Sequence, residues 1–140
     1  MIARGIRNNN PLNIRRTTAD QWKGQSKVQN DSSFVQFETM EWGWRAAFRL
    51  LTRTYYKKYG LDTITKIITR WAPEEDHNDT VTYIRNVCAL TGLKPDEPLG
   101  TPEEHPARWL LLGAAMALQE CGSGGLTPFA MLRGWEMMKS

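Results

Sequence analysis

The chain has 140 residues, a net charge of +3 and a sequence pI near 9.0, with 41% hydrophobic and 24% charged residues. That length fits one domain with a core large enough to fold without disulfides or a structural metal, and no apolar run reaches the ~20 residues of a membrane span. With 15 acidic against 18 basic residues and no long basic run, the charge suits an anionic partner without marking a nucleic-acid binder.

The opening Met1-Ile-Ala-Arg-Gly5 lacks the apolar core of a secretory leader. Synthesis in the cytoplasm is therefore expected, and any action outside it needs another route. Arg4 to Arg16 shows neither helical nor strand period. Asn8, Asn9 and Asn10 precede Pro11, and Asn13 follows. Asparagine side chains bond nearby backbone and tolerate left-handed conformations. Four of them exceed the need of a simple turn, so they are expected either to hold a loop in shape or to bond ligand hydroxyl and acetamido groups.

Trp22-Lys-Gly24 reads as a turn with an aromatic anchor, and Phe34-Val-Gln-Phe37 as a short strand paired with the region around Asn13 to Arg16. From Met40 to Tyr59 the spacing of Trp44, Ala47, Phe48, Leu51, Tyr55 and Tyr59 predicts a helix stopped by Gly60. Arg45, Arg49, Arg53 and Lys57 share another face of it, read as solvated. Thr63 is placed to cap a helix carrying Ile64, Ile67, Ile68 and Trp71, ended by Pro73. After the polar loop Pro73 to Asp79, Asn78 or Asp79 caps a helix with Val81, Ile84, Val87 and Cys88 inward, closed by Gly92. Thr101-Pro-Glu-Glu104 has the form of a capping box entering the next helix.

That next helix organises the chain. Trp109 to Leu118 carries no charge, and a helix apolar on every side belongs in the middle of a domain. It ends in Glu120, followed by Gly122, Gly124 and Gly125, which stop the helix and leave room for another molecule's backbone or ring. A carboxyl group at the mouth of an apolar helix is partly desolvated, a setting in which carboxyl groups serve as general acids. The bland alternative is a solvated glutamate at a helix end. Thr127-Pro128 opens the last helix, with Phe129, Leu132, Trp135 and Met138 as its stripe. The expected fold is mainly α, a single domain over residues 1–140, with about five helices around a buried central one and a small β-containing lobe near residues 13–40.

Cys88 and Cys121 lack metal-ligand spacing and read as free thiols. His77 and His105 lack spaced partners, so neither a metal nor a cofactor is expected.

The opening Arg4-Gly-Ile-Arg-Asn-Asn-Asn-Pro-Leu-Asn-Ile-Arg15 resembles that of a family of phage and prophage proteins often labelled virion structural proteins. Their further motifs are matched by Trp22-Lys-Gly24, Phe34-Val-Gln-Phe37, Gly43-Trp-Arg-Ala46, Trp71-Ala-Pro73 and Asn78-Asp-Thr-Val-Thr-Tyr83. The likeness covers most of the chain. It departs at Leu12, where glycine is usual, which questions how tightly that loop turns. It departs again at His77, where a glutamate often stands, which leaves the loop without a catalytic acid.

A second set of motifs is similar to flagellar and autolysin-type glucosaminidases, which have a lysozyme-like α+β fold. Ala117-Leu-Gln-Glu120-Cys-Gly resembles the end of their catalytic helix. Asn10-Pro-Leu-Asn-Ile-Arg15, Trp22-Lys-Gly24, Phe34 to Phe37 and Trp71-Ala-Pro73 follow the remaining motifs in order. The chain then resembles a circular permutation with the catalytic helix moved to the end.

This resemblance implies a lysozyme-like enzyme that cleaves peptidoglycan glycan strands as a muramidase, glucosaminidase or lytic transglycosylase. Glu120 would be the general acid, Glu38 or Glu41 a second acid, and Asn10, Asn13, Trp71 and Tyr83 the lining of the sugar groove. The partners would be glycan strands and other virion proteins, and the place of action the cell wall or the particle. The alternative is a non-catalytic virion or wall-binding protein of the same shape. A nucleic-acid module resting on the Arg45–Lys57 stripe, and a cysteine hydrolase using Cys121 with His77 or His105, are the weaker rivals.

Overall fold

The computed structural model describes residues 2–19 and 21–140. The chain is mainly helical: α1 (Arg4–Arg7), α2 (Met40–Arg49), a π-helical segment (Leu50–Lys58), α3 (Ile64–Trp71), a 3-10 turn (Glu74–Asp76), α4 (Thr80–Thr91), α5 (Pro106–Cys121) and α6 (Pro128–Met138). It divides into two compact units, Met1–Arg49 with Glu120–Ser140, and Leu50–Gln119. No linker or shift of composition marks that division in the sequence.

In the first unit α2 and α6 pack against each other through Gly134. A Cβ there would lie 2.3 Å from Cβ of Trp44 and 3.0 Å from the Arg45 nitrogen and the Glu41 oxygen, so only glycine allows the approach. Phe48 stacks on Trp44 with ring centres 5.3 Å apart and meets the edge of Trp135 at 5.0 Å, forming an aromatic core. This crossing corrects two sequence expectations. Arg45, assigned to a solvated stripe, is buried because α6 covers that side of α2. The buried stripe of α6 is Gly134, Trp135 and Met138 with Met131 half-buried, while Phe129 and Leu132 face outward, 78% and 47% exposed.

The N-terminal arm is more ordered than its lack of period suggests, since Arg4–Arg7 closes a single helical turn. The expected strand pairing falls in the right place but forms no strands among the described residues. Arg15 and Phe34, and Gln25 and Phe37, make isolated antiparallel bridges. The backbone bonds from Arg16 to Ser33 at 2.8 Å and from Val35 to Ile14 at 3.0 Å are joined by side-chain amides: the Gln29 amide donates to the Gln36 carbonyl at 2.7 Å and accepts from its nitrogen at 2.9 Å.

The second unit begins with the π-helical continuation, where the Tyr59 nitrogen bonds five residues back to Thr54. Such winding advances each residue by less than the roughly 100° of an α-helix. Leu51 and Tyr55 are therefore buried, while Tyr59 leaves the stripe and lies under the Arg70 guanidinium at 4.7 Å. Thr63 caps α3 by accepting from the Lys66 nitrogen, and Asp79, rather than Asn78, caps α4 by accepting from the Thr82 nitrogen, both at 3.1 Å. Gly92 closes α4 in the left-handed conformation at φ 76°. Of the four residues expected inward on α4, only Val87 is fully buried, and Val81 is 56% exposed. Thr101 does bond the Glu104 nitrogen at 3.1 Å, but this closes a separate turn, because α5 starts only at Pro106.

The helix α5 buries Trp109, Leu112, Ala115, Met116 and Ala117. Trp109 donates to the Gly100 carbonyl at 3.1 Å and meets the Tyr56 ring edge-on. The helix is not enclosed on all sides as its composition implied. Leu111 and Leu118, seven residues apart on one face, are 43% and 36% exposed. Among the described residues no helix is long and apolar enough to cross a membrane.

Candidate functional site

The asparagines of the arm divide into holders of the loop and one that reaches the end of α5. Asn10 is fully buried, and its amide donates to the carbonyls of Ile14 at 3.0 Å and Val35 at 2.9 Å while accepting from the Ile14 nitrogen at 2.9 Å. It offers no exposed atom to a ligand, so the loop-holding role is the one it fills. Asn8 is also buried, between Asp31 at 2.9 Å and Gln36 at 3.3 Å, and Asn9 donates to the Phe37 carbonyl at 3.1 Å. Leu12 turns no differently from other residues of negative φ and is fully buried, so the missing glycine does not open the loop.

Asn13 adopts the left-handed conformation at φ 53°, which asparagine tolerates better than most residues. Its amide nitrogen donates to the Glu120 carboxylate at 3.3 Å and lies 3.4 Å from the Glu120 carbonyl. The Cys121 thiol donates to the Pro11 carbonyl at 3.3 Å. Gly5 makes this packing possible: a Cβ there would stand 2.3 Å from Cys121 Sγ and 2.7 Å from both the Asn10 carbonyl and the Asn13 side-chain oxygen. A half-buried carboxylate is thus fixed against the loop at the point where α5 ends.

The chain beyond it is open. Gly122, in the left-handed conformation at φ 71°, terminates α5. A cleft of about 410 Å³ follows, lined by Ile2, Ala3, Ile6 and the run Cys121 to Gly125. Burial, and secondarily the Glu120 charge, push the Cys121 thiol up to about 11, so it stays protonated at neutral pH and is no nucleophile.

Glu38 is exposed at the start of the segment leading into α2. Glu41, in the first turn of α2, pairs with Arg133 of α6 at 3.2 Å. Trp71 ends α3, half-buried, and the Tyr83 hydroxyl of α4 donates to the Met116 carbonyl of α5 at 3.5 Å; both belong to the second unit. Among the described residues no group of His, Cys, Asp and Glu could hold a metal ion.

The sequence reading missed Asp31. Its buried carboxylate accepts two bonds from Arg4, both at 2.6 Å, and one each at 2.9 Å from Asn8 and the nitrogens of Ser33 and Phe34. The spacing of Arg4 and Asn8, one helical turn apart, was the available signal. Together they hold the arm that carries Asn13.

No family model matches the chain. Protein P5 of Pseudoalteromonas phage PM2 is 43% identical to it over 136 residues, which cover 96% of this chain and 81% of that protein. The chain belongs to the Protein P5 family. The phage side of the sequence resemblance is therefore established over nearly the whole length. The name Protein P5 specifies no reaction or substrate, so the chemistry rests on the geometry above.

Proposed function

We propose that this chain is a structural component of a phage particle, the role its sequence resemblance implies. The observation that carries the reading is the 43% identity to a phage protein across 96% of the chain. Mass spectrometry of gradient-purified particles tests it: the protein should co-sediment at a fixed ratio to the major shell protein. Recovery only from the lysate, with none in particles, overturns it.

A second reading, cleavage of peptidoglycan glycan strands, is favoured by one specific observation, the Asn13 amide on the Glu120 carboxylate at 3.3 Å beside an open glycine loop. In this reading Glu120 delivers a proton to the glycosidic oxygen as the sugar approaches an oxocarbenium-like state, and Asn13 fixes the direction of the carboxyl group. Of the two second-acid candidates, Glu38 is the more available, because Arg133 engages Glu41. The permuted lysozyme-like arrangement that the sequence resemblance implies is part of this reading.

Its test is mass analysis of purified peptidoglycan incubated with the chain. Reducing-end muramic acid, reducing-end glucosamine and anhydromuramic ends distinguish the three bond-breaking chemistries. Glu120→Gln should lower release by at least ~10²-fold while folding persists. Equal release by Glu120→Gln and the parent chain sinks the catalytic role, and no release by either leaves the structural role alone.

A further inference from the structure

The sequence holds no long basic run, yet the fold gathers a basic cluster that neither proposed role uses. Residues 1–37 carry six basic side chains, Arg4, Arg7, Arg15, Arg16, Lys23 and Lys27, against two acidic ones, Asp20 and Asp31. The rest of the chain has one more acidic than basic residue, so the net charge of +3 resides in this N-terminal part. All six basic residues are exposed.

Three of the arginines converge on the segment from Asp31 to Phe34. Arg4 bonds the Asp31 carboxylate twice at 2.6 Å, and its guanidinium carbon lies 4.7 Å from the centre of the Phe34 ring. Arg15 sets its guanidinium carbon 5.3 Å from the centre of the same ring. Arg16 donates to the Asp31 main-chain carbonyl at 2.8 Å. Arg4 takes the carboxylate, so Arg15 and Arg16 add two charges that no carboxylate among the described residues pairs with. The fold has no need of both charges: a neutral amide also satisfies a carbonyl, and gathering like charges costs Coulomb energy. The Arg15 side chain spends no N–H on the protein, which leaves its whole fork of donors for another molecule.

Such a fork matches the oxygens of a phosphate group. Two features narrow the kind of phosphate. The helix α1 is a single turn of four residues, so this part of the chain has no amphipathic helix to lay into a lipid surface. None of Trp22, Phe34 and Phe37 is exposed, so no ring is offered for stacking on bases and contact is confined to the backbone. We propose that Arg4, Arg15 and Arg16 form a sequence-independent contact surface for the phosphodiester backbone of nucleic acid, with Arg7, Lys23 and Lys27 adding longer-range attraction. This inference rests on the particle reading for the source of the ligand, since a phage particle encloses a genome, and is independent of the Glu120 chemistry. The Arg45–Lys57 stripe supplies no such surface, because Arg45 is buried and Lys57 pairs with Glu103.

The test is fluorescence anisotropy of the full chain with two short labelled duplexes of unrelated sequence, from about 50 to 200 mM salt. Both duplexes should bind alike, and log K should fall against log salt with a slope of about −3, ~0.9 for each of three contacts. Arg15→Ala should reduce the slope by ~1 and weaken both duplexes on the order of tenfold at the low-salt end. Arg16→Gln keeps a donor for the Asp31 carbonyl and should show the same loss, which covers the case of an Arg15→Ala chain that melts early. Arg85→Ala, an equal change of charge on α4, should leave binding at the parental level. Parental binding by both Arg15→Ala and Arg16→Gln, or an equal loss in Arg85→Ala, overturns the surface. So does binding to vesicles of phosphatidylcholine and phosphatidylglycerol without binding to the duplexes, or binding to polyglutamate as tight as to DNA. A chain recovered from purified particles that binds neither duplex overturns the surface and leaves the particle reading intact. Duplex binding by a chain absent from particles removes the particle reading, while the surface stands.

Discussion

Replacing Asp31 by alanine should be among the most damaging single changes in the first unit. The carboxylate is 5% exposed and accepts five hydrogen bonds, two from Arg4 and one each from Asn8 and the Ser33 and Phe34 nitrogens. The Arg4 side chain is 43% exposed, so solvent screens that pair and its share is discounted. Three donors then lose a charged acceptor, at ~1.5–3 kcal/mol each before non-additivity and partial rehydration. A loss of about 3–5 kcal/mol follows, which for this chain length is a fall of roughly 10–15 °C in Tm.

The acid dependence has a definite sign. The Arg4 guanidinium first, then the Asn8 amide and the two backbone donors, hold Asp31 well below the usual carboxylate range, against the opposing effect of burial. A carboxylate lowered on folding contributes stability that is present above its unfolded pKa of ~3.9 and is lost as pH falls through the folded value. Melts followed by circular dichroism from pH 7 to pH 3 should therefore show the parent chain losing stability below about pH 4. Asp31→Asn, which retains an acceptor for the backbone donors but not the charge, should begin lower and lose less on acidification. An Asp31→Ala Tm within ~2 °C of the parent, against that ~10–15 °C scale, would refute the reasoning.

Gly134→Ala forces a methyl group to within 2.3 Å of Trp44 Cβ and against the α2 backbone; a loss of ~1–3 kcal/mol is expected, read as a lower urea midpoint, and an unchanged midpoint counts against the close crossing. Cys88 and Cys121 are free thiols, so reductant should leave Tm unchanged, and a drop of several degrees would contradict this. With the Cys121 thiol raised to about 11, alkylation at pH 8 should be far slower for it in the native chain than in guanidinium; equal rates would show the site to be open.

Several beginnings and ends of the helices were readable in the sequence, those whose causes are local, whereas α1 and the start of α5 at Pro106 were not. Thr63, Asp79 and Thr127 each accept from a nitrogen three residues on, and Gly60 and Gly92 take left-handed conformations at helix ends. Such bonds depend only on the residues beside them. The pairing of the Asn13–Arg16 region with Phe34–Phe37 was readable in place but not in kind, because amides of Asn10 and Gln29 take up the backbone groups that a strand ladder would use.

The faces of the helices were decided elsewhere. Nothing in the periodicity of the Met40–Tyr59 stretch distinguishes Arg45 from Arg53, yet Arg45, in α2, is buried where α6 crosses at Gly134, and Arg53, in the π-helical segment, is exposed. The composition of α5 is apolar all round, but only contacts from distant segments determine that Leu112 and Met116 are covered and Leu111 and Leu118 are not. The candidate site follows the same division. Glu120 and the glycines after it stand out in the sequence by spacing alone. That Asn13 rather than Asn10 faces the carboxylate was fixed by a contact across 107 residues. Adjacent asparagines have the same chemistry, and only the packing of the arm around Gly5 and Asp31 gives each amide its partner.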